Sequence, residues 1–143
     1  MALNDLTVGE FLAALGERTP APASGAATAL TAALAAALAE LASRFAEDAA
    51  AVVRATELRV RLSALADEDA AAYSAFMATR SAETRARIVA VPREIAATAD
   101  EVAELADAVR ARLRGAVVGD AEAAAELARA AARVARRLAD LNA

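Results

Sequence analysis

The stretch Thr19–Ala39, TPAPASGAATALTAALAAALA, decides the fold of this 143-residue chain. It carries no charge, opens with two prolines and is mostly alanine and leucine after Ser24. One helical face carries larger apolar side chains at steps of three or four residues: Leu30, Leu34, Leu38, Leu41 and Phe45. A second face carries small residues, which let another backbone approach closely: Gly25, Ala29, Ala33 and Ala37. A helix that is apolar almost all round is predicted to lie at the centre of the fold, with Ser24 as its N-cap.

An uncharged run of this length also meets the length criterion for a transmembrane helix. The run contains two prolines, a glycine and several hydroxyl side chains, and alanine gains little free energy from lipid. The sequence therefore favours a buried helix, and we expect no membrane partner.

The composition narrows the possible chemistry. The chain has no cysteine and no histidine, and all of its 16 basic residues are arginine, which excludes thiolate, imidazole and lysine Schiff-base catalysis. No spacing typical of metal ligands is present, so no metal is expected. A net charge of −4 with interspersed signs argues against nucleic-acid binding. The amino terminus lacks a basic segment followed by an apolar run, so the sequence predicts a soluble cytoplasmic protein of one domain, residues 1–143.

The remaining sequence also has helical periodicity. A capping box predicts a short first helix that begins after Thr7 and ends at Gly16. Ser81 is predicted to cap a short helical piece that Pro92 either ends or separates from the next helix. The last helix has a narrow apolar stripe between Ala124 and Leu141.

These patterns together predict an all-α antiparallel helical bundle with the Ser24–Ser43 helix at its centre. The sequence does not decide whether the central helix continues or breaks between Arg44 and Glu57. Because alanine-rich helices bury little area each, we also expect a homodimer.

Asp69 is the first candidate for a functional residue. In the third helix it lies at four- and three-residue spacing from Leu65, Leu62 and Leu58, and therefore on the apolar face, with Tyr73 one turn later. Loss of hydration raises the pKa of a carboxyl group and suits it to proton transfer. A structural role, in which Asp69 pairs with an arginine or lies at the solvated edge of the apolar face, is an equally good interpretation, and the pattern does not choose between them. Asp67 and Glu68 point elsewhere and are expected at the solvated surface.

Asp120 is the second candidate. It lies at the start of the last helical pattern, where an N-cap is expected. Considered alone, it is interpreted as a cap.

The order of four segments resembles the formiminotransferase-cyclodeaminase family, which also includes bacterial methenyltetrahydrofolate cyclohydrolases. Thr19–Leu30 resembles the family's Pro-x-Pro-Gly-Gly-Gly turn and small-residue helix, and Asp67–Tyr73 resembles its Asp-Glu-Asp-Ala-x-Ala-aromatic segment. Val91–Ile95 is similar to the proline-started helix that follows, and Gly115–Asn142 to the final loop and helix. The chain differs from the family in the glycine turn, where Ala23 and Ser24 precede the one retained glycine.

The resemblance implies chemistry on the one-carbon bridge of tetrahydrofolate, with no metal or other cofactor. A cyclodeaminase closes 5-formimino-tetrahydrofolate to 5,10-methenyl-tetrahydrofolate, and a cyclohydrolase opens the methenyl bridge with water. The residues that it implies as catalytic are Asp69, Asp120 and Tyr73. Those implied to bind the folate are Pro22, Ser24, Gly25, Thr28 and Arg44, with the 20–28 loop against the pterin or its tail and Arg44 pairing with a glutamate tail or with Asp69.

Two other functions remain open from the sequence. The changed glycine turn favours either the same scaffold used for another cyclisation or hydrolysis in a specialised biosynthetic pathway, or a non-catalytic helical dimer that binds a partner or small ligand.

Overall fold

A computed structural model describes residues 2–143 and contains five α-helices, with no β-strand among those residues. A single 3-10 turn, Leu3–Asp5, precedes them. The helices, in chain order, are α1 Val8–Gly16, α2 Ser24–Phe45, α3 Ala49–Thr79, α4 Ala82–Arg110 and α5 Val117–Asn142. The predicted start and end of α1 are confirmed, and Thr7 Oγ1 accepts a hydrogen bond from the Glu10 amide at 3.1 Å.

The four long helices form an antiparallel bundle, because the connections between them are too short to allow any other arrangement of neighbours. α2 lies at the centre and packs against α3, α4 and α5. The predicted all-α bundle around a small-residue helix is confirmed.

The side of α2 that the bundle buries is its alanine side. Ala29, Ala32 and Ala36 are fully buried, whereas Leu34 and Phe45 are 63% and 65% exposed. α2 thus lies at the centre of the bundle as predicted, but part of its leucine face is exposed in one protomer. Small side chains let the helix axes approach closely and fill the core. Of the leucine face, Leu30 and Leu38 are partly buried against this core, whereas Leu34 remains at the surface.

The break after the central helix lies at 46–48. Glu47 has a left-handed backbone with φ 53°, and Asp48 caps α3 by accepting a hydrogen bond from the Ala51 amide at 3.0 Å. The chain thus turns between α2 and α3 without a proline or a glycine, and the Asp48 side chain caps the new helix.

α4 runs unbroken through Pro92, so the expectation that this proline ends or starts a helix is wrong. A proline inside a helix has no N–H for the carbonyl four residues earlier, which is that of Ile88. Asn142, the last residue of α5, replaces the missing donor: its Nδ2 donates to the Ile88 carbonyl oxygen at 2.9 Å. The predicted cap at Ser81 is confirmed, with its Oγ accepting from the Thr84 amide at 3.1 Å.

Two predicted N-caps are wrong. Ala23 is the N-cap of α2 and Ser24 its first helical residue, so no side chain caps this helix. α5 begins at Val117, which places Asp120 inside its first turn rather than before it.

α2 is long and apolar enough to cross a membrane by length and composition. Slightly more than half of its most apolar window is buried inside the bundle, as in the core helix of a soluble protein.

Candidate functional site

A cleft of about 210 Å³ opens where the start of α2, the middle of α3 and the end of α5 meet. Its walls are mainly small or apolar, with a few polar groups. The lining residues are Pro20, Ala21, Ala23, Ser24, Gly25, Asp69, Tyr73, Pro92, Leu138 and Asn142.

The Asp69 carboxyl group lies directly against the backbone of Gly25. A β-carbon placed on Gly25 would overlap both carboxylate oxygens and the Asp69 Cγ. Gly25 is helical and buried, so the role of this glycine is to make room for the carboxylate rather than to allow an unusual backbone angle. The one glycine that the chain keeps in this turn is therefore the one the acid requires.

Asp69 has no cationic partner among residues 2–143, so the interpretation of Asp69 as half of an arginine pair is wrong. Burial raises the pKa of its carboxyl group above the ordinary value of 3.8, and loss of hydration is the only cause. The two acidic residues that precede Asp69 have hydrogen-bond partners and lie in different surroundings. Asp67 accepts hydrogen bonds from the Leu3 amide and Asn4, outside the cleft.

Glu68 lies on the other side of α3 and accepts hydrogen bonds from Arg61 at 2.6 Å and Arg87 at 3.1 Å. These arginines hold the pKa of Glu68 below its ordinary value. Of the three consecutive acidic side chains at 67–69, Asp69 is thus the one that faces the cleft.

Tyr73 lines the cleft one turn after Asp69, and its ring packs against Phe76 with centroids 6.5 Å apart. Ser24 is also in the wall. The loop expected at 20–28 is a loop only up to Ala23, since the rest is the first turn of α2.

Pro22 and Thr28 are close to the cleft but do not line it. Thr28 is buried, and its Oγ1 donates to the Ser24 carbonyl oxygen at 2.6 Å, which orders the first turn of α2. Pro22 lies between two lining residues, Ala21 and Ala23.

Arg44 and Asp120 lie at the opposite end of the bundle. The 19 residues from Gly25 to Arg44 span about 28 Å of α2, and the 22 residues from Asp120 to Asn142 span about 33 Å of α5. Arg44 forms an ion pair with Glu40 at 3.0 Å and its side chain is 62% exposed. The expected pairing of Arg44 with Asp69 is therefore wrong within one protomer.

Three lining residues, Pro92, Leu138 and Asn142, belong neither to the predicted site residues nor to the 20–28 loop. The hydrogen bond from Asn142 to the Ile88 carbonyl oxygen, the acceptor that Pro92 leaves without a donor, joins residues 54 positions apart. The available signal was the conflict between a helical pattern and an internal proline, which demands a donor from elsewhere in the fold.

The two glycine positions that the chain has lost do not require glycine here. Ala23 has φ −144° and Ser24 is helical, and neither backbone is left-handed. Their side chains narrow the cleft without straining the chain. No group of three or more carboxylates close enough to hold a metal ion is found in residues 2–143.

The comparisons with known proteins concern the fold and the family of the chain. The solved structure of formiminotetrahydrofolate cyclodeaminase from Thermotoga maritima superposes with a TM-score of 0.92 at 23% sequence identity, covering 98% of this chain and 79% of that one. This likeness shows a shared fold. No curated protein matches the chain. The sequence profile of the formiminotransferase-cyclodeaminase family matches residues 7–143, and the chain therefore belongs to that family.

Proposed function

We propose that the protein is a cyclodeaminase acting on the one-carbon group of a formimino-tetrahydrofolate, with Asp69 as the group that carries the proton. We further propose that it is a cytoplasmic enzyme that needs no metal or additional cofactor. The observation that carries the proposal is the Asp69 carboxyl group, which lies against Gly25 in a cleft that has no cationic side chain in its walls.

The reaction requires one proton to move between two nitrogens. N10 of the folate attacks the formimino carbon, a carbon–nitrogen bond forms, and N10 becomes positively charged. The N10 proton must then leave and reach the formimino nitrogen, so that this nitrogen departs as ammonia and the methenyl cation remains. One carboxylate placed beside both nitrogens can accept the proton and return it.

The electrostatics of the cleft favour these steps. The protonated formimino group and the methenyl product are cations, and Asp69 is the ionisable acid among the lining residues. A raised pKa makes the Asp69 carboxylate a stronger base than an exposed aspartate. An acid paired with arginine, such as Glu68, has the opposite shift and is poorly suited to this role.

The other walls offer hydrogen-bond donors for the rest of the folate. α2 starts at the cleft without a side-chain cap, so the amide groups of its first turn are available to a carbonyl or carboxylate oxygen. Ser24 and Tyr73, which both carry a hydroxyl group, line the same cleft. We propose that these groups orient the pterin ring.

The test is to add 5-formimino-tetrahydrofolate to the purified protein and to follow methenyl-tetrahydrofolate absorbance together with ammonia release. We expect both products in equal amounts, and Asp69→Asn should lower kcat by about 10²–10⁴-fold. Asp67→Asn is the matched control, because Asp67 lies two residues away and outside the cleft, and it should retain turnover. Ammonia release no faster than in buffer would overturn the proposal.

A second candidate is a related hydrolysis or cyclisation of a different substrate on the same scaffold. The side chains of Ala23 and Ser24 line the cleft where the family has glycines, which favours a changed fit. Decay of 5,10-methenyl-tetrahydrofolate faster than in buffer, without activity on the formimino compound, would favour hydrolysis.

A further inference from the structure

The hydrogen bond between Asn142 and the Ile88 carbonyl fixes a polar group in the wall of the cleft. Pro92 leaves the Ile88 carbonyl without its helical donor, and Asn142 Nδ2 donates to that oxygen at 2.9 Å. Because only the nitrogen end of an amide can donate to a carbonyl, this bond sets which end of the side chain is Oδ1. Ile88 itself is buried, so leaving its carbonyl without a donor would cost free energy.

The anchored amide leaves its Oδ1 atom as an acceptor beside the cleft. No hydrogen bond to Asn142 Oδ1 is present within residues 2–143, and both Asn142 and Asp69 line the same space. The cleft therefore offers a carboxylate and an amide oxygen together. Two acceptors with no cation suit a ligand group that carries N–H donors and positive charge.

We propose that Asn142 Oδ1 accepts a hydrogen bond from the formimino nitrogen of the substrate and thereby selects a formimino group over a formyl group. Pro92 is the positioning residue, because it leaves the Ile88 carbonyl without a helical donor and this carbonyl then holds the Asn142 amide in place. The inference rests on the proposed cyclodeaminase function and adds a residue that decides between substrates.

The formyl analogue provides a direct comparison. 5-Formyl-tetrahydrofolate has the same shape but presents a carbonyl oxygen where the formimino compound presents N–H groups. An acceptor in the wall of the cleft attracts the N–H groups of the formimino compound and repels the carbonyl oxygen of the formyl compound. A site built to bond an N–H group discriminates strongly against an analogue that lacks it.

The experiment measures kcat/KM for 5-formimino-tetrahydrofolate and the inhibition constant of 5-formyl-tetrahydrofolate in four proteins: the wild type, Asn142→Ala, Pro92→Ala and the double variant. Asn142→Ala should lower kcat/KM about ten- to a hundred-fold, the range expected for a hydrogen bond to a charged group, while the formyl compound binds as well or better. Asn4→Ala is the matched control, because Asn4 also bonds to a backbone carbonyl, that of Ser63, but lies away from the cleft.

Thermal unfolding of the same proteins separates a ligand contact from a structural one. Asn142→Ala alone should lower the melting temperature, and in the Pro92→Ala background it should have little effect, since residue 92 then supplies the N–H for Ile88. If Asn142 only completes α4, the double variant regains wild-type selectivity, and the inference is overturned. A double variant that melts like the Pro92→Ala protein but has lost selectivity supports it.

The two proposals fail in different ways. No turnover of the formimino compound by the wild-type protein overturns the cyclodeaminase function and this inference with it. If the wild type turns over the formimino compound and Asn142→Ala has the same preference for it over the formyl compound, only the proposed role of Asn142 is overturned.

Discussion

Asp67 and Asp69 lie two residues apart in α3 but in different surroundings. Asp67 accepts hydrogen bonds from the amino-terminal segment, while Asp69 is desolvated against Gly25. A spacing of two residues on a helix turns the side chain by more than half of a circle, which explains why one acid is a surface anchor and the other lines the cleft.

The raised pKa of Asp69 makes the stability of the protein depend on pH. The folded state holds this proton more tightly than the unfolded state, so ionisation of Asp69 destabilises the fold as pH rises above 3.8. We expect the free energy of unfolding of Asp69→Asn, relative to the wild type, to increase as the pH rises above 3.8 and to level off above the raised pKa. Urea unfolding of both proteins across this range measures the difference, and a difference independent of pH would contradict the assignment.

Gly25→Ala tests the space that Asp69 occupies. The new β-carbon would overlap the carboxyl group, so we expect Asp69 to be displaced and turnover to fall toward that of Asp69→Asn. Gly119→Ala is the control in another first turn. Its added β-carbon meets no atom within 4 Å, and helix propensity predicts a gain of about 0.5–1 kcal/mol in unfolding free energy. An equal gain with full turnover in Gly25→Ala would show that the carboxyl group has no such constraint.

The surroundings of a side chain could be predicted from the sequence where they depend on the periodicity of a single helix. The spacing of Asp69 from Leu65 and Leu62 predicted its apolar surroundings, and the chain folds accordingly. The spacing could not identify Gly25 as its neighbour or exclude an arginine partner, since both depend on how α2 and α3 align. Nothing in the sequence around Asn142 indicated that this residue lines the cleft.

The helices show where periodicity succeeds and where it is ambiguous. The apolar face of α3 is buried as predicted, including Leu58, Leu62 and Leu65. In α2 both faces are apolar, and periodicity alone cannot tell which face the bundle buries. In α4 the rule that proline breaks helices failed, because a side chain from α5 replaced the lost donor.

Asp120 belongs to α5 rather than to the cleft of its own chain. Its carboxylate lies in the first turn of the helix, where negative charge is stabilised by the helix dipole. We expect Asp120→Asn to lower unfolding free energy by about 0.3–1 kcal/mol and to leave turnover unchanged. Steady-state kinetics and thermal unfolding check this together. A loss of turnover without a loss of stability would instead place Asp120 in the active site through a second protomer.

The whole molecule exposes large apolar side chains on its central helix and on α3. Gly25 of α2 contacts Asp69 of α3 in the antiparallel pair, and this register places Leu34 at the level of Val60 and Leu41 at the level of Val53. All four side chains are exposed. Groups of exposed apolar side chains of this kind mark surfaces that associate with another protein.

We propose that these side chains lie in the interface of a homodimer. Light scattering at micromolar concentration should give twice the mass of the 14.5 kDa chain. Leu34→Glu with Leu41→Glu should shift the protein to a monomer, because two charges would be buried without partners. Glu104→Gln, an exposed change on α4, is the control and should remain dimeric. A wild-type monomer at this concentration would remove the dimer from the proposal.

The alanine-filled core has a thermodynamic consequence. Most of the buried apolar side chains are alanines, which lose no rotamer entropy on folding and expose little hydrocarbon on unfolding. The heat capacity change of unfolding follows the apolar area exposed, so it should be below the usual value of about 12–15 cal/mol/K per residue. Scanning calorimetry measures it directly. A small heat capacity change flattens the dependence of stability on temperature, and this fold should then lose little stability on cooling or on moderate warming.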